Sequence, residues 1–177
     1  IVAAHQIAIS VTSQLFMIPM SLAIALPIRI GMYYGEKNWL AMRKVQFLGL
    51  ATGTLFALMT MLLMWLFRAE IVAVYTSDLQ VTQVAMYLIL FAIAYQLMDA
   101  WQVSAAGCLR GMQDTQGPMW ITMFSYWVIA FPVGIYLARY TPMGAAGVWT
   151  GLIVGLTIAC VLLLMRLYMN NKRLSQV

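Results

Sequence analysis

Charged side chains are scarce in this 177-residue sequence. Only 8% of the residues are Asp, Glu, Lys or Arg, whereas 64% are hydrophobic. Soluble domains carry roughly 25% charged residues, so the composition indicates an integral membrane protein. Cysteine is equally rare: Cys108 and Cys160 lie within apolar runs and lack the spacing of metal ligands. We interpret both as ordinary buried thiols.

Catalytic signatures are also missing. The sequence contains no GxxxxGK[ST], GxSxG, HExxH or CxxC pattern, and therefore no recognisable ATP site, nucleophile–base pair or metal-ligand set. His5, the single histidine, has no cysteine or carboxylate close to it in the sequence. We therefore predict no enzyme, no organic cofactor and no direct ATP-driven pump.

Long apolar runs dominate what remains. A helix needs about 20 apolar residues to cross the hydrocarbon core of a membrane, and five segments meet that length. The sequence therefore predicts an all-α membrane fold of five transmembrane helices joined by short connections, without a separate soluble domain. The predicted spans are His5–Tyr34, Val45–Phe67, Val81–Leu109, Met119–Ala138 and Ala145–Tyr168.

Basic residues predict the orientation, because cytoplasmic connections are enriched in Lys and Arg. Arg68 and Arg139 lie on one side of the membrane, and Arg29 lies within the first span, nearer the other side. We expect an outside N-terminus and a cytoplasmic C-terminus, and the net charge of +5 then reflects topology rather than nucleic-acid binding. Five spans that start outside, in a chain that starts at Ile1, lead us to expect a preceding helix. The more basic side carries Lys37, Arg43, Lys44, Arg110, Arg166, Lys172 and Arg173.

Asp99 is the one acid placed deep in a predicted span. A carboxylate at the bilayer centre costs about 2.5–3.5 kcal/mol on insertion scales, so such a group usually faces a cavity, a partner or an ion path. Tyr95, Gln96 and Gln102 lie three or four residues from Asp99 and share its helical face. This patch predicts a site where protonation and cation binding compete for one carboxylate. The alternative is an acid that only joins helices through hydrogen bonds.

Other spans carry weaker polar patterns. The first has a stripe of hydroxyl and amide side chains, and the fourth has two hydroxyl groups near its centre. Each set could line a water-filled cavity or simply join neighbouring helices. The candidate cavity-lining residues are Ser10, Ser13, Gln14, Ser125 and Tyr126.

Small residues and prolines predict shape rather than chemistry. Gly147, Gly151 and Gly155 recur every four residues in the fifth span, which favours close helix packing. Pro19, Pro27 and Pro132 interrupt two of the spans and are expected to permit kinks.

The order and spacing of several short motifs resemble the C-terminal lobe of MATE (multidrug and toxic compound extrusion) transporters, in particular the NorM-like branch. The resemblance covers essentially the whole chain. The motifs are Tyr95-Gln96-Leu97-Met98-Asp99, Gly107-Cys108-Leu109-Arg110-Gly111, Asp114-Thr115, Pro118-Met119 and Gly147-Val148-Trp149-Thr150-Gly151.

The resemblance implies a specific activity. Proteins of this family are twelve-helix antiporters with two six-helix lobes, and they exchange external Na⁺ or H⁺ for organic cations such as drugs and dyes. Residues 1–177 would form a partial C-terminal lobe, helices eight to twelve, in the bacterial cytoplasmic (inner) membrane. The N-terminal lobe and the preceding helix of the same protein would complete it.

The resemblance also implies roles for individual residues. Asp99 would be the coupling carboxylate and Tyr95 its neighbour in the cation site, which would bind Na⁺ as its only metal ion. A loop with Arg110, Gly111 and Asp114 would be structural. Two alternatives stay open: a lipid or oligosaccharide flippase of related fold, and a non-transporting structural membrane fragment. The negative charge at mid-membrane argues against a flippase, because phosphate-bearing substrates call for a cationic cavity.

Overall fold

The computed structural model describes residues 2–76 and 78–175, with side chains for all of these except 2–5 and 18. The side chain of His5 therefore lies outside the described part of the chain. The described residues are almost entirely helical. In chain order the elements are α1 (Val2–Gly35), α2 (Trp39–Leu66), α3 (Arg68–Tyr75), α4 (Leu79–Gly111), α5 (Gln116–Phe124), a π-helical segment (Ser125–Ala130), α6 (Phe131–Tyr140) and α7 (Ala145–Leu174).

The predicted number of spans is confirmed. Within the described ranges, five helical stretches are long and apolar enough to cross a membrane, and the fourth combines α5, the π-helical segment and α6. The helices overrun several predicted limits: α2 begins at Trp39 rather than Val45, and α7 ends at Leu174 rather than Tyr168. Hydropathy drops at the basic residues near these ends, but backbone hydrogen bonding continues past them because their side chains remain solvated.

The prediction of a plain connection between Arg68 and Gln80 was incomplete. The short helix α3 occupies its first part and buries Val72 against the end of the bundle. Asp78 then caps α4, since its carboxylate accepts hydrogen bonds from the backbone N–H groups of Gln80 (2.8 Å) and Val81 (3.4 Å). A single buried residue in an eight-residue helix leaves too little hydrophobic pattern to detect from sequence.

Helix α4 is the centre of the bundle and packs against α1, α2 and α7. Two apolar clusters lie at its two ends. The first reaches from Ala85 to Ala92 of α4, and the second from Ala105 to Met112. Between the two clusters α4 buries four polar side chains: Gln96, Asp99, Gln102 and Ser104. The first three form a polar layer across the middle of the bundle, and Ser104 lies directly before the second cluster.

Glycines bring α7 into direct contact with the fourth span. A Cβ atom at Gly151 would collide with the backbone of Gly134, and one at Gly155 would meet Ala130 and the carbonyl oxygen of Ser125. The predicted packing stripe is thus confirmed. Without side chains at these positions, the two backbones approach closely enough for extensive van der Waals contact.

The prolines have different effects in the two spans. Pro19 and Pro27 lie inside α1, which remains helical from Val2 to Gly35. Pro132 lies in the first turn of α6, directly after the π-helical segment. There the N–H of Phe131 bonds to the carbonyl of Tyr126, five residues earlier. The wider turn accommodates the proline, whose ring would clash with a regular preceding turn.

Candidate functional site

Asp99 lies in the polar layer, close to the midpoint between the two apolar clusters. Asp99 is only 5% exposed. Among the described residues, the structure gives the Asp99 carboxylate no hydrogen-bond donor, and the one ion pair joins Asp114 to Arg166. A buried charge without a partner is unstable, so this site favours either a bound proton or a bound cation.

Two phenol groups lie near the carboxylate. Tyr95 is one turn before Asp99 on α4, and Tyr126 reaches the site from the π-helical segment. Tyr95 shares the helical face of Asp99, and Tyr126 is hydrogen-bonded to Gln102 of the same face. Oxygen atoms of this kind suit a hard cation or a proton-carrying water.

The polar layer is linked across helices. The Tyr126 hydroxyl donates a hydrogen bond to Oε1 of Gln102 (2.9 Å), which connects the fourth span to α4. The ring of Tyr95 packs edge-on against Trp149 of α7, with 6.4 Å between ring centroids. Three spans therefore hold the surroundings of Asp99, and a change at this site affects contacts with each of them.

The remaining candidates of the fourth span and of α4 are buried but less connected. Gln96 is 2% exposed and belongs to the same layer. Ser125 is fully buried, and its hydroxyl has no hydrogen-bond partner in the described part of the chain. Its carbonyl oxygen lies against Gly155 of α7. Ser125 thus adjoins the site because it directly precedes Tyr126 in the chain.

The candidate residues of α1 do not gather at Asp99. The hydroxyl of Ser13 is exposed and bonds to the carbonyl of Ile9 in its own helix (2.8 Å). Gln14 lines a separate cavity of about 290 Å³ together with residues of α2 and α3, such as Thr60 and Val74. Ser10 is half-buried in α1. Gln14 thus lines a cavity, whereas a shared cavity-lining role of Ser10, Ser13 and Gln14 stays a prediction.

An open cavity of about 420 Å³ adjoins the polar layer. Gln102 of α4 contributes to its wall, and so do Phe16 and Met20 of α1 and Met119 of α5. An aromatic ring and flexible thioethers accept varied apolar shapes. The cavity therefore combines an adaptable apolar wall with Gln102, whose side chain is hydrogen-bonded to Tyr126.

Sequence reasoning missed Trp149 and the contacts of Asp114. Trp149 had appeared only as part of a motif, and nothing in its spacing indicated contact with a residue of α4. Asp114 accepts hydrogen bonds from Arg166 and Asn170 of α7 and from the backbone of Gly117. Opposite charges 52 positions apart give no local signal, so only the fold reveals this pair.

Comparisons with known proteins identify the family. The MatE family model matches residues 1–136, and the chain belongs to that family of multi-pass membrane transporters. A curated relative from Acinetobacter baylyi, described as a probable multidrug resistance protein NorM, is 74% identical over 99% of this chain and 39% of its own length. A multidrug resistance protein NorM from Photobacterium profundum is 43% identical over 94% of the chain and 38% of its own length.

Solved structures support the same fold. A crystal structure of a eukaryotic MATE transporter superposes with a TM-score of 0.90 at 21% identity, covering 98% of this chain and 39% of that one. An outward-facing multidrug resistance MATE family transporter gives 0.91 at 17% identity, covering 99% and 40%. The chain spans about two fifths of the length of the curated relatives and solved structures it matches. The predicted all-α membrane fold and the resemblance to MATE transporters are confirmed.

Proposed function

We propose that the protein containing this chain is a cation-coupled multidrug antiporter that exports organic cations, with Asp99 as the coupling carboxylate. Membership of the MatE family and the names of the NorM relatives support multidrug efflux. The observation that carries the proposal is the burial of Asp99 at mid-membrane without a cationic partner among the described residues. Intramembrane acids of this kind usually mark ion or proton pathways.

Asp99 couples two binding events because its charge can be neutralised in alternative ways. A proton or Na⁺ entering from outside binds the carboxylate, and the oxygens of Tyr95 and Tyr126 stabilise the bound ion. Neutralisation removes the attraction for an organic cation in the adjoining cavity, so the substrate leaves. An ion shifts the conformational equilibrium only as far as its affinities for the two states differ.

The surroundings of Asp99 supply that difference in affinity. Tyr126 is bonded to Gln102 and belongs to the π-helical segment, whereas Tyr95 packs on Trp149 of α7. Movement of the fourth span relative to α4 changes the distance of the Tyr126 phenol from the carboxylate, and movement of α7 changes the packing that holds the ring of Tyr95. The affinity of the site for its ion therefore depends on how these three helices are packed.

The cavity next to the polar layer is the proposed contribution of this chain to the substrate path. Its wall includes Phe16, Met20, Met119 and Gln102, and Arg110 is its one charged lining residue. The aromatic and thioether part of the wall suits apolar organic cations of differing shape. The negative charge at mid-membrane favours such cations over phosphate-bearing lipids or oligosaccharides. In this proposal residues 1–177 belong to the C-terminal lobe, and the N-terminal lobe forms the opposite wall of the substrate path. The protein spans the bacterial inner membrane, and the N-terminus of the chain lies on the outer side of that membrane.

Ethidium efflux tests the coupling role. Cells express the full-length protein with Asp99→Asn or with Asp78→Asn, at matched levels in the membrane. The second variant also removes one acid, but Asn retains the helix cap of α4. We expect efflux to be lost in Asp99→Asn and retained in Asp78→Asn. Normal efflux by a well-inserted Asp99→Asn protein would contradict the proposal.

The coupling ion requires a separate comparison. Efflux by the wild-type protein is measured with and without external Na⁺, and with and without a protonophore. Dependence on Na⁺ at constant pH identifies Na⁺ as the coupling ion, whereas loss of efflux on collapse of the pH gradient identifies H⁺. Efflux that responds to neither ion would contradict coupling at this site.

A further inference from the structure

A third cavity lies at the more basic end of the bundle and includes no residue of the polar layer. Its volume is about 540 Å³, within the range of ligand sites. The antiparallel helices α2 and α7 form its two walls. From α2 come Arg43, Gln46, Phe47 and Leu50, and from α7 come Leu164, Leu167, Tyr168, Asn171 and Lys172, followed by Ser175.

The polarity of this cavity changes along the helix axes. Arg43 and Lys172 lie near the ends of their helices, and both are exposed. One turn deeper lie the exposed aromatic rings of Phe47 and Tyr168, and Leu50 follows after another turn. The interval from Arg43 to Leu50 corresponds to about 10 Å along α2. A cationic mouth, an aromatic rim and an apolar interior match the headgroup, interface and acyl region of a phospholipid.

The basic side chains at the mouth are not neutralised. No carboxylate in the described part of the chain pairs with Arg43 or Lys172, since the one ion pair joins Asp114 to Arg166. Arg43 is held in place by hydrogen bonds from Nη2 to the carbonyl of Asn171 (2.6 Å) and to the hydroxyl of Ser175 (2.5 Å). An oriented guanidinium beside a second cation is well suited to phosphate.

One buried acceptor in the same cavity also lacks a donor. The amide nitrogen of Asn171 donates to Oε1 of Gln46 (2.7 Å), but Asn171 Oδ1 is buried and has no hydrogen-bond partner among the described residues. A buried polar atom of this kind costs free energy until a donor reaches it. Because this oxygen is closed off from the cavity, a ligand does not reach it, and the polar contacts of a ligand fall to Arg43 and Lys172 at the mouth.

We propose that this cavity binds an anionic phospholipid. The phosphate lies between Arg43 and Lys172, and an acyl chain lies along Leu50 and Leu164. A soluble phosphate would use only the mouth and leave the apolar walls uncovered. The site is independent of the coupling role of Asp99.

Lipid titration followed by native mass spectrometry tests the proposal on the purified full-length protein. The probes are phosphatidylglycerol, phosphatidic acid, phosphatidylcholine and inorganic phosphate. Each Lys or Arg near an anionic lipid contributes enough to change binding about fivefold. We therefore expect phosphatidylglycerol to bind about fivefold more weakly to Lys172→Gln, and about 25-fold more weakly to Arg43→Gln/Lys172→Gln.

The controls separate a specific site from general surface charge. Arg68→Gln and Arg139→Gln remove basic residues that line no part of this cavity, and they should leave binding unchanged. Within residues 2–76 and 78–175 the side chain of Lys172 makes no hydrogen bond, so its replacement tests binding without loss of a fold contact. An equal loss in the control variants, tight binding of phosphatidylcholine, or displacement of lipid by millimolar phosphate would overturn the lipid site.

Discussion

Asp99 and Asp114 are chemically identical groups in opposite circumstances. Asp114, in the connection between α4 and α5, receives two hydrogen bonds from Arg166, with Nε 2.6 Å from Oδ2 and Nη2 3.0 Å from Oδ1. Asn170 and the backbone of Gly117 donate two more. Asp99 is more deeply buried and has no donor among the described residues.

The contrast separates structural acids from acids available for chemistry. The guanidinium of Arg166 holds the pKa of Asp114 below its usual range, and the Asn170 and Gly117 hydrogen bonds act in the same direction. Asp114 therefore keeps its charge and joins the connection to α7. Asp99 has no such counter-charge in the described part of the chain. The free-energy cost of its buried charge is therefore offset by a proton or a cation that binds to it.

The largest expected effect is that Asp99→Asn loses transport while Asp114→Asn loses stability. Asp99→Asn should abolish ethidium efflux by the full-length protein with little change in thermal stability, because it breaks no recorded hydrogen bond. Asp114→Asn should retain efflux at permissive temperature but lower stability. Efflux per molecule of folded protein and thermal unfolding in detergent measure the two effects. A transport defect in both variants would remove the distinction.

A smaller effect is expected when the ion pair at Asp114 is broken. Arg166→Gln leaves the carboxylate without its main partner, which should cost about 1–2 kcal/mol because hydrogen bonds to charged groups are stronger than neutral ones and this pair is partly exposed. The double variant Arg166→Gln/Asp114→Asn should cost less than the sum of the single changes. A thermal-unfolding double-mutant cycle measures the coupling, and strictly additive values would show that the pair contributes nothing.

A further test concerns the link between the two helices at Asp99. Tyr126→Phe removes the hydroxyl that donates to Gln102 and faces the ion site. We expect the concentration of coupling ion needed for half-maximal efflux to rise about three- to tenfold, since one hydrogen bond is worth about 0.5–1.5 kcal/mol. Maximal efflux should be largely retained. The matched control is Tyr136→Phe, an exposed tyrosine of α6, which should change neither quantity.

The smallest effect is a pH dependence that belongs to Asp114 alone. Its pKa is lower in the folded protein than in the unfolded chain, so the stabilisation is present above the unfolded value of about 3.9 and disappears as the pH falls through the folded value. The stability difference between wild type and Asp114→Asn should be constant from pH 8 to pH 5 and shrink below about pH 4. Thermal unfolding across this range measures it, and a difference that grows in acid would contradict the assigned ion pair.

The five spans could be predicted from hydropathy because length and polarity alone define them. Asp99 could be singled out for the same reason, since one acid in a long apolar run is visible without a structure. The polar layer was only partly predictable. Gln102 shares a helical face with Asp99, but its partner Tyr126 lies 24 positions away, and local spacing carries no information on that contact.

The features that were not predicted share a physical origin. The cavity-lining role of Ser10, Ser13 and Gln14 stays a prediction, because the direction of a helical face depends on how the helix is rotated against its neighbours, which sequence period does not encode. The short helix α3 and the π-helical segment lack a periodic signal of their own. The cavity between α2 and α7 arises from side chains more than 110 positions apart, so its lining follows only from the fold.

The π-helical segment joins two helices that are out of phase with each other. Its wide turn contains one residue more than an α-helical turn, and a single residue corresponds to a rotation of about 100° about the helix axis. As a result, Tyr126 at the start of the segment contacts Gln102 of α4, whereas Gly134 in the following helix α6 contacts Gly151 of α7. A return to regular α-helical winding would rotate one half against the other and break one of these two contacts.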